Sequence, residues 1–167
     1  MNSHVRQARG ADVDGIVAVG HTTWPSTYLE LAGAEYVTAG LARWWAPEGI
    51  ARAIEAGQVL VAETDDRVVG VAMFSVDGSV VDLWKLYVMP DCQGSGVGAQ
   101  LLQAVIDGPA LEAATVRLAH KKGNTRARTF YERWGFVETH RTPDDLGGPD
   151  NVWMELILRH RHESPAT

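Results

Sequence analysis

From Gln58 to Val88 the chain alternates between short apolar runs and tight polar breaks. Gln58 to Glu63, Arg67 to Val76 and Ser79 to Val88 are rich in valine and aromatic residues, with Asp65-Asp66 and Asp77-Gly78 as the breaks. Branched and aromatic side chains suit a pleated, half-buried surface, and Asp-Gly is a strong hairpin signal, so this span predicts an antiparallel meander of three strands. Upstream, Val5 to Ala8 reads as a short first strand, and a helix opens at Ala11-Asp12-Val13-Asp14 and carries Ile16, Val17 and Val19. Pro25 is predicted to break that helix. One or two further helices fit the aromatic span His21 to Trp45, and Glu48 to Ala56 is another, ended by Gly57.

Beyond Val88 the period changes. Leu101, Leu102, Val105 and Ile106 recur at helical spacing after Gly98, Asp107-Gly108-Pro109 interrupts the pattern, and Ala110 to Ala114 adds one more turn. Thr115 to Ala119 is a strand. Asn124 caps a helix from Thr125 to Trp134 that Gly135 ends, and Phe136 to His140 and Val152 to Leu158 close the sheet around a loop from Thr142 to Asp150. The expectation is an α/β fold with a mixed, largely antiparallel sheet flanked by helices. Residues 1–160 form one domain on this reading and the tail 161–167 is flexible, with His160-Arg161-His162, at the junction of the two, read as a feature of the tail.

Composition narrows the function classes. The chain has 167 residues, enough to bury a core without a metal or a disulfide, and its one cysteine, Cys92, excludes an internal disulfide. The six histidines show no metal-ligand spacing, so no metal is expected. A formal charge of −6 argues against nucleic acid and anionic membrane as partners and leans towards a cationic acceptor. With no long apolar run and no signal-peptide pattern at Met1-Asn2-Ser3-His4, the expected location is cytoplasmic.

The candidate chemistry sits where the meander gives way to a helix, in Met89-Pro90-Asp91-Cys92-Gln93-Gly94-Ser95-Gly96-Val97-Gly98. Glycines at a helix start let the backbone approach a ligand, and the unpaired N–H groups and dipole of the first turn attract an anion, most often phosphate. A nucleotide P-loop is excluded because no Lys follows Gly98 and Gln100 stands where a metal-binding hydroxyl belongs. A dinucleotide fingerprint is met on paper by Gly94, Gly96 and Ala99, but the next strand ends in His120 and not in a ribose-binding carboxylate.

The segment Leu86 to Gly98, with Gln93, Gly96 and Gly98 at its fixed positions, closely resembles the acetyl-CoA loop of the GCN5-related N-acetyltransferase (GNAT) superfamily. A second segment, Asn124-Thr125-Arg126-Ala127-Arg128-Thr129-Phe130-Tyr131-Glu132-Arg133-Trp134-Gly135-Phe136, resembles that superfamily's later motif at every fixed position. The resemblance implies a GNAT-like fold and direct transfer of an acetyl group from acetyl-CoA to a primary amine of a small molecule or peptide. It implies coenzyme A contacts at Leu86, Val88, Gln93, Gly94, Ser95, Gly96, Val97, Gly98, Ala99, Asn124 and Tyr131, and two copies pairing as a dimer. A protein with the loop but without the chemistry would be an acyl-CoA sensor.

Aminolysis of a thioester needs a neutral amine, donors for the developing oxyanion and an acid for the leaving thiolate. By resemblance the N–H near Val88 polarises the carbonyl and Tyr131 is the acid, although Ala127, Phe130, Tyr131 and Trp134 also form a core-like stripe. Asp82 is the candidate base, with Glu30 and Glu35 competing. Trp24, Tyr28, Glu30 and Trp84 are the candidate acceptor contacts, and His120-Lys121-Lys122-Gly123 is read as a solvated turn or as a contact to the 3′-phosphate. Cys92 lies in the loop with no nearby histidine in sequence and is read as a small residue, not a nucleophile.

Overall fold

The computed structural model describes residues 2–158, so the expected tail at 161–167 lies outside the described residues. In chain order the elements are β1 (His4–Gln7), α1 (Val13–Ala32), α2 (Ala34–Trp44), α3 (Pro47–Glu55), β2 (Val59–Thr64), β3 (Arg67–Asp77), β4 (Val80–Val88), α4 (Val97–Asp107), β5 (Thr115–Lys121), α5 (Thr125–Arg133), β6 (Val137–Thr142) and β7 (Asn151–Ile157). They build one seven-stranded sheet in the order β1-β2-β3-β4-β5-β7-β6. Every neighbouring pair is antiparallel except β4 and β5, which run parallel.

Both faces of the sheet are covered. On one, α4 and α5 bury Leu101, Leu102, Val105 and Tyr131 against Val81, Leu83, Val116, Leu118 and Met154. On the other, α1, α2 and α3 bury Ile16, Val19, Trp24, Trp45 and Ile50 against Val59, Val61, Val71 and Met73. Strands covered on both faces read as continuous apolar runs, which is why β2 and β3 are legible as runs of valine and alanine.

Pro25 does not break the first helix. It lies inside α1, a continuous helix of 20 residues. A proline in mid-helix costs about 3 kcal/mol or more by removing one N–H and crowding a carbonyl. Side-chain hydroxyls bond the carbonyls around it, Ser26 and Thr27 donating to Thr23 O at 2.9 and 2.8 Å and Thr23 to Val19 O at 2.7 Å. Trp24 and Tyr28 on either side of it are buried, and their packing outweighs the local penalty. Two smaller departures concern ends. A short 3-10 turn at Gly10–Asp12 precedes α1, and the segment after α4 is a run of turns without a helix.

The site is prepared by how β4 leaves β5. Their pairing covers only Val80–Asp82 with Thr115–Arg117. Beyond Asp82 the strands part, and the register of β4 against β3 shifts, Met73 facing Lys85 and Phe74 facing Leu83, so that Trp84 has no partner. Such a bulge bends and twists the strand that carries it. A gap opens between the second half of β4 and β5.

Candidate active site

A cleft of about 980 Å³ occupies this gap, between the end of β4, the glycine turn, the first two turns of α5 and one face of α1. Leu86, Tyr87 and Val88 form one wall and Asn124, Ala127, Phe130 and Tyr131 the opposite one, with Thr23, Thr27 and Leu31 beside them. The N–H of Met89 donates to Val69 O at 2.8 Å. Alternation along an antiparallel strand therefore turns the N–H groups of Val88 and Leu86 the other way, into the gap.

The turn at the mouth is shaped by its backbone. Gly94 and Gly96 have φ of 80° and 90°, a region side chains rarely adopt, and a Cβ on either would meet nothing within 4 Å. Because the N–H of Gln100 is the first to reach back, bonding Gly96 O at 3.0 Å, the amides of Val97, Gly98 and Ala99 have no acceptor within α4. Empty space above left-handed glycines, at the positive end of an 11-residue helix, fits a diphosphate. Gln93 donates to Val88 O at 3.0 Å and accepts from Arg126 at 2.6 Å, bridging the turn to α5. Arg126 and Arg133 are the only charged side chains lining the cleft among the described residues, and no Asp, Glu or His lines it.

The expected coenzyme A contacts divide. Leu86, Val88, Gln93, Gly94, Gly96, Gly98, Ala99, Asn124 and Tyr131 line the cleft. Ser95 and Val97 do not present side chains to it. The Ser95 hydroxyl turns back onto Cys92 O, and Val97 is buried in the core under α4, so each offers only its backbone. Asn124 accepts from the Ala127 N–H at 3.2 Å and caps α5 as expected.

Tyr131 is buried along its ring, yet its hydroxyl has no protein partner among the described residues. Burial raises its pKa above the ordinary phenol range, with the nearby Tyr87 adding to the shift, so it stays protonated through mildly alkaline pH. The hydroxyls of Tyr87 and Tyr28 meet at 3.0 Å, and burial pushes both pKa values up. Tyr87 escaped the sequence reading. So did the α1 positions Thr23, Thr27 and Leu31, whose spacing of four marks one helix face.

The expected base and acceptor contacts lie outside this cleft. Asp82 is 6% exposed at the point where β4 and β5 part, and Arg117 donates to both of its oxygens, at 2.6 and 3.0 Å. Opposed strand positions put these two side chains together on one face. Glu30 and Glu35 are exposed on α1 and α2. Trp84, bulged out of β4, is 55% exposed and donates to Ser75 at 2.8 Å. Trp24 packs into an aromatic cluster with Tyr28 and Tyr36, centroids 4.6 and 5.8 Å away, one layer behind Tyr87.

A loop from β6 to β7 completes this side. Asp144 is ion-paired with Lys121, accepts from the backbone of Leu146 and Gly148 at 2.9 and 3.1 Å, and receives the Tyr36 hydroxyl at 3.3 Å. Lys121, read in the sequence as part of a solvated turn or as a contact to the 3′-phosphate, instead pairs with Asp144 and sits over the Tyr36 ring of α2.

Comparison with known proteins yields one consistent group. Residues 55–138 match the acetyltransferase (GNAT) domain. An L-methionine sulfoximine/L-methionine sulfone acetyltransferase of Pseudomonas paraeruginosa is 30% identical over 99% of this chain and 97% of its own. An uncharacterized N-acetyltransferase of Mycobacterium bovis is 39% identical over 80 residues, 47% of this chain and 51% of its own. Among solved structures, the PaiA N-acetyltransferase of Thermoplasma acidophilum, crystallised with coenzyme A, superposes with a TM-score of 0.82 at 21% identity, covering 95% of this chain and all of the other.

Proposed function

From the acetyltransferase (GNAT) family, to which the chain belongs, we infer an enzyme that moves the acetyl group of acetyl-CoA directly onto the primary amine of a small molecule of amino-acid size. What carries the reading is one cleft that joins the unpaired amides of the glycine turn, the outward N–H groups of Leu86 and Val88, and a Tyr131 hydroxyl without a protein partner. Acetyl-CoA supplies an activated acyl group held on sulfur. The turn from Gly94 to Ala99 holds its diphosphate, and the wall of Leu86 and Val88 carries its pantetheine into the gap. The Val88 N–H stabilises negative charge on the carbonyl oxygen, and Tyr131 donates a hydrogen bond, and at the end its proton, to the departing sulfur.

Among the described residues no carboxylate or imidazole lines the cleft, so the amine enters neutral or gives its proton to water. Asp82, bonded twice to Arg117, pins the fork of β4 and β5 in this reading. Amino-acid size is supported by the relative that spans 99% of this chain, whose name gives two amino-acid derivatives as substrates. A cytoplasmic location and pairing of two copies belong to the same reading; the exposed Val137 and Ile157 near the β6 edge favour the pairing.

The test is thiol release from acetyl-CoA with a panel of amino-acid derivatives, polyamines and peptides. Small amines, L-methionine sulfone included, are expected to turn over fastest. Gly96→Val should abolish coenzyme A binding, since a branched residue at φ 90° points into the place of the diphosphate. Unchanged affinity by calorimetry in that variant would remove the basis of the reading.

A further inference from the structure

Tyr87 meets the cleft with its side chain. It stands opposite Val71 on β3, and the neighbouring Met89 N–H donates to Val69 O at 2.8 Å. By alternation the N–H and C=O of Tyr87 are therefore spent on β3 and turn away from the gap. Leu86 and Val88 pack towards α4 and α5, whereas the Tyr87 ring passes to the opposite face and packs with Val71 and Met73 under α1. The α1 wall of the cleft, Thr23, Thr27 and Leu31, lies on that same side.

The hydroxyl protons on this side can be counted. The Tyr28 and Tyr87 oxygens are 3.0 Å apart and burial keeps both phenols protonated, so the pair holds two protons and spends one on its mutual bond. Tyr28 is 5% exposed, does not line the cleft, and bonds no other group through its hydroxyl among the described residues. Its proton is satisfied only by the Tyr87 oxygen, so Tyr28 donates and Tyr87 accepts. The Trp24 indole N–H, buried without a partner at bonding geometry, is close enough to the same oxygen to lower the Tyr87 pKa. With its lone pairs facing these donors, Tyr87 turns its own proton to the cleft.

The rest of the lining indicates what takes that proton. Thr23 and Thr27 give theirs to carbonyls of α1, at 2.7 and 2.8 Å, and no carboxylate lines the cleft among the described residues to hold a second ammonium. Lys85, two residues before Tyr87 on the same face of β4, enters no ion pair among the described residues. Its ammonium lies over the Trp45 ring, which packs edge-on against Tyr87 at 5.3 Å. A free hydroxyl proton beside an uncompensated cation asks for a carboxylate. Phe130 and Tyr131 occupy the α5 side of the gap, which leaves the α1 side, past Tyr87, for the incoming amine.

Resting on the acetyl-transfer reading above, we propose that the Tyr87 hydroxyl, oriented by Tyr28, selects the acceptor by donating to a carboxylate beside its amine, so that the substrates are α-amino acids and their side-chain derivatives. Tyr87 touches the substrate. Tyr28 is a positioning residue that fixes the direction of the Tyr87 proton.

The experiment compares L-methionine sulfone with its decarboxylated amine, by thiol release from acetyl-CoA, in the wild type, Tyr87→Phe, Tyr28→Phe and the double variant. The wild type should favour the amino acid by about 10- to 100-fold in kcat/KM, the worth of a hydrogen bond to a charged group. Tyr87→Phe should narrow that ratio about tenfold, mainly by raising KM for the amino acid. Tyr28→Phe should narrow it about threefold and add nothing in the Tyr87→Phe background. Both acceptors are measured in the same protein, so a general loss of stability leaves the ratio where it was. Equal falls for the two acceptors in Tyr87→Phe would place the hydroxyl on the thioester and overturn the proposal. An unchanged ratio, or a wild type that does not distinguish the two acceptors, would overturn it as well. Absence of thiol release with every amine would instead fail the acetyl-transfer reading, and the proposal with it.

Discussion

Lys85 is a half-buried cation with no countercharge among the described residues. It lies on β4 beside Tyr87, with its ammonium 5.4 Å from the centre of the Trp45 ring and no salt bridge among the described residues. Burial lowers its pKa to about 8. Between about pH 8 and the usual lysine value of 10.5 the unfolded chain therefore binds more protons than the folded one, so stability rises with pH across that window. Lys85→Met should stabilise at pH 7 by about 1–3 kcal/mol and flatten the rise, as urea titrations at several pH values would report. An unchanged slope would mean that the ammonium is solvated. Tyr131→Phe isolates a different atom. It keeps the ring in the core and removes only the unpartnered hydroxyl, so kcat should fall about 100-fold with Tm and coenzyme A affinity nearly unchanged. Wild-type turnover in that variant would make the hydroxyl structural. Residue roles were the least legible in the sequence. The glycine turn is readable because its geometry is local, whereas Asp82 meets Arg117 only through the register of two strands joined by a helical crossover, and no local pattern announces that pair.

At the scale of elements, runs and breaks located all seven strands and the main helices, with ends shifted by a few residues. The misreading at Pro25 came from a correct local rule overridden by the packing of Trp24 and Tyr28. Helix glycines show the same contest in the opposite sense. A Cβ on Gly40 of α2 would stand 2.1 Å from the Trp24 ring, and one on Gly49 of α3 would meet only Arg52, at 3.8 Å. Gly→Ala in a helix gains about 1 kcal/mol of propensity, and overpacking a core costs about 1–3 kcal/mol. Gly49→Ala should therefore raise the denaturation midpoint and Gly40→Ala lower it. Equal effects at the two positions would show that α2 does not press on Trp24.

For the whole molecule, the feature that matters most is how few strand rungs join the two parts of the sheet. Strands β1 to β4 form one antiparallel set and β5, β7 and β6 another, and among the described residues the strand pairing between them is the short one of Val80–Asp82 with Thr115–Arg117. Such a seam is where a native protein opens without unfolding completely. Amide protons of β5, β7 and β6 should exchange with solvent through an opening that leaves β2 and β3 protected. Acetyl-CoA lies across the seam in the proposed complex, so it binds only the closed form. At about 100 times its Kd it would lower the open population roughly a hundredfold, about 2.7 kcal/mol. The cosubstrate then acts as the missing rungs of the sheet, and the slowing of exchange in the C-terminal strands measures its binding without any chemistry taking place.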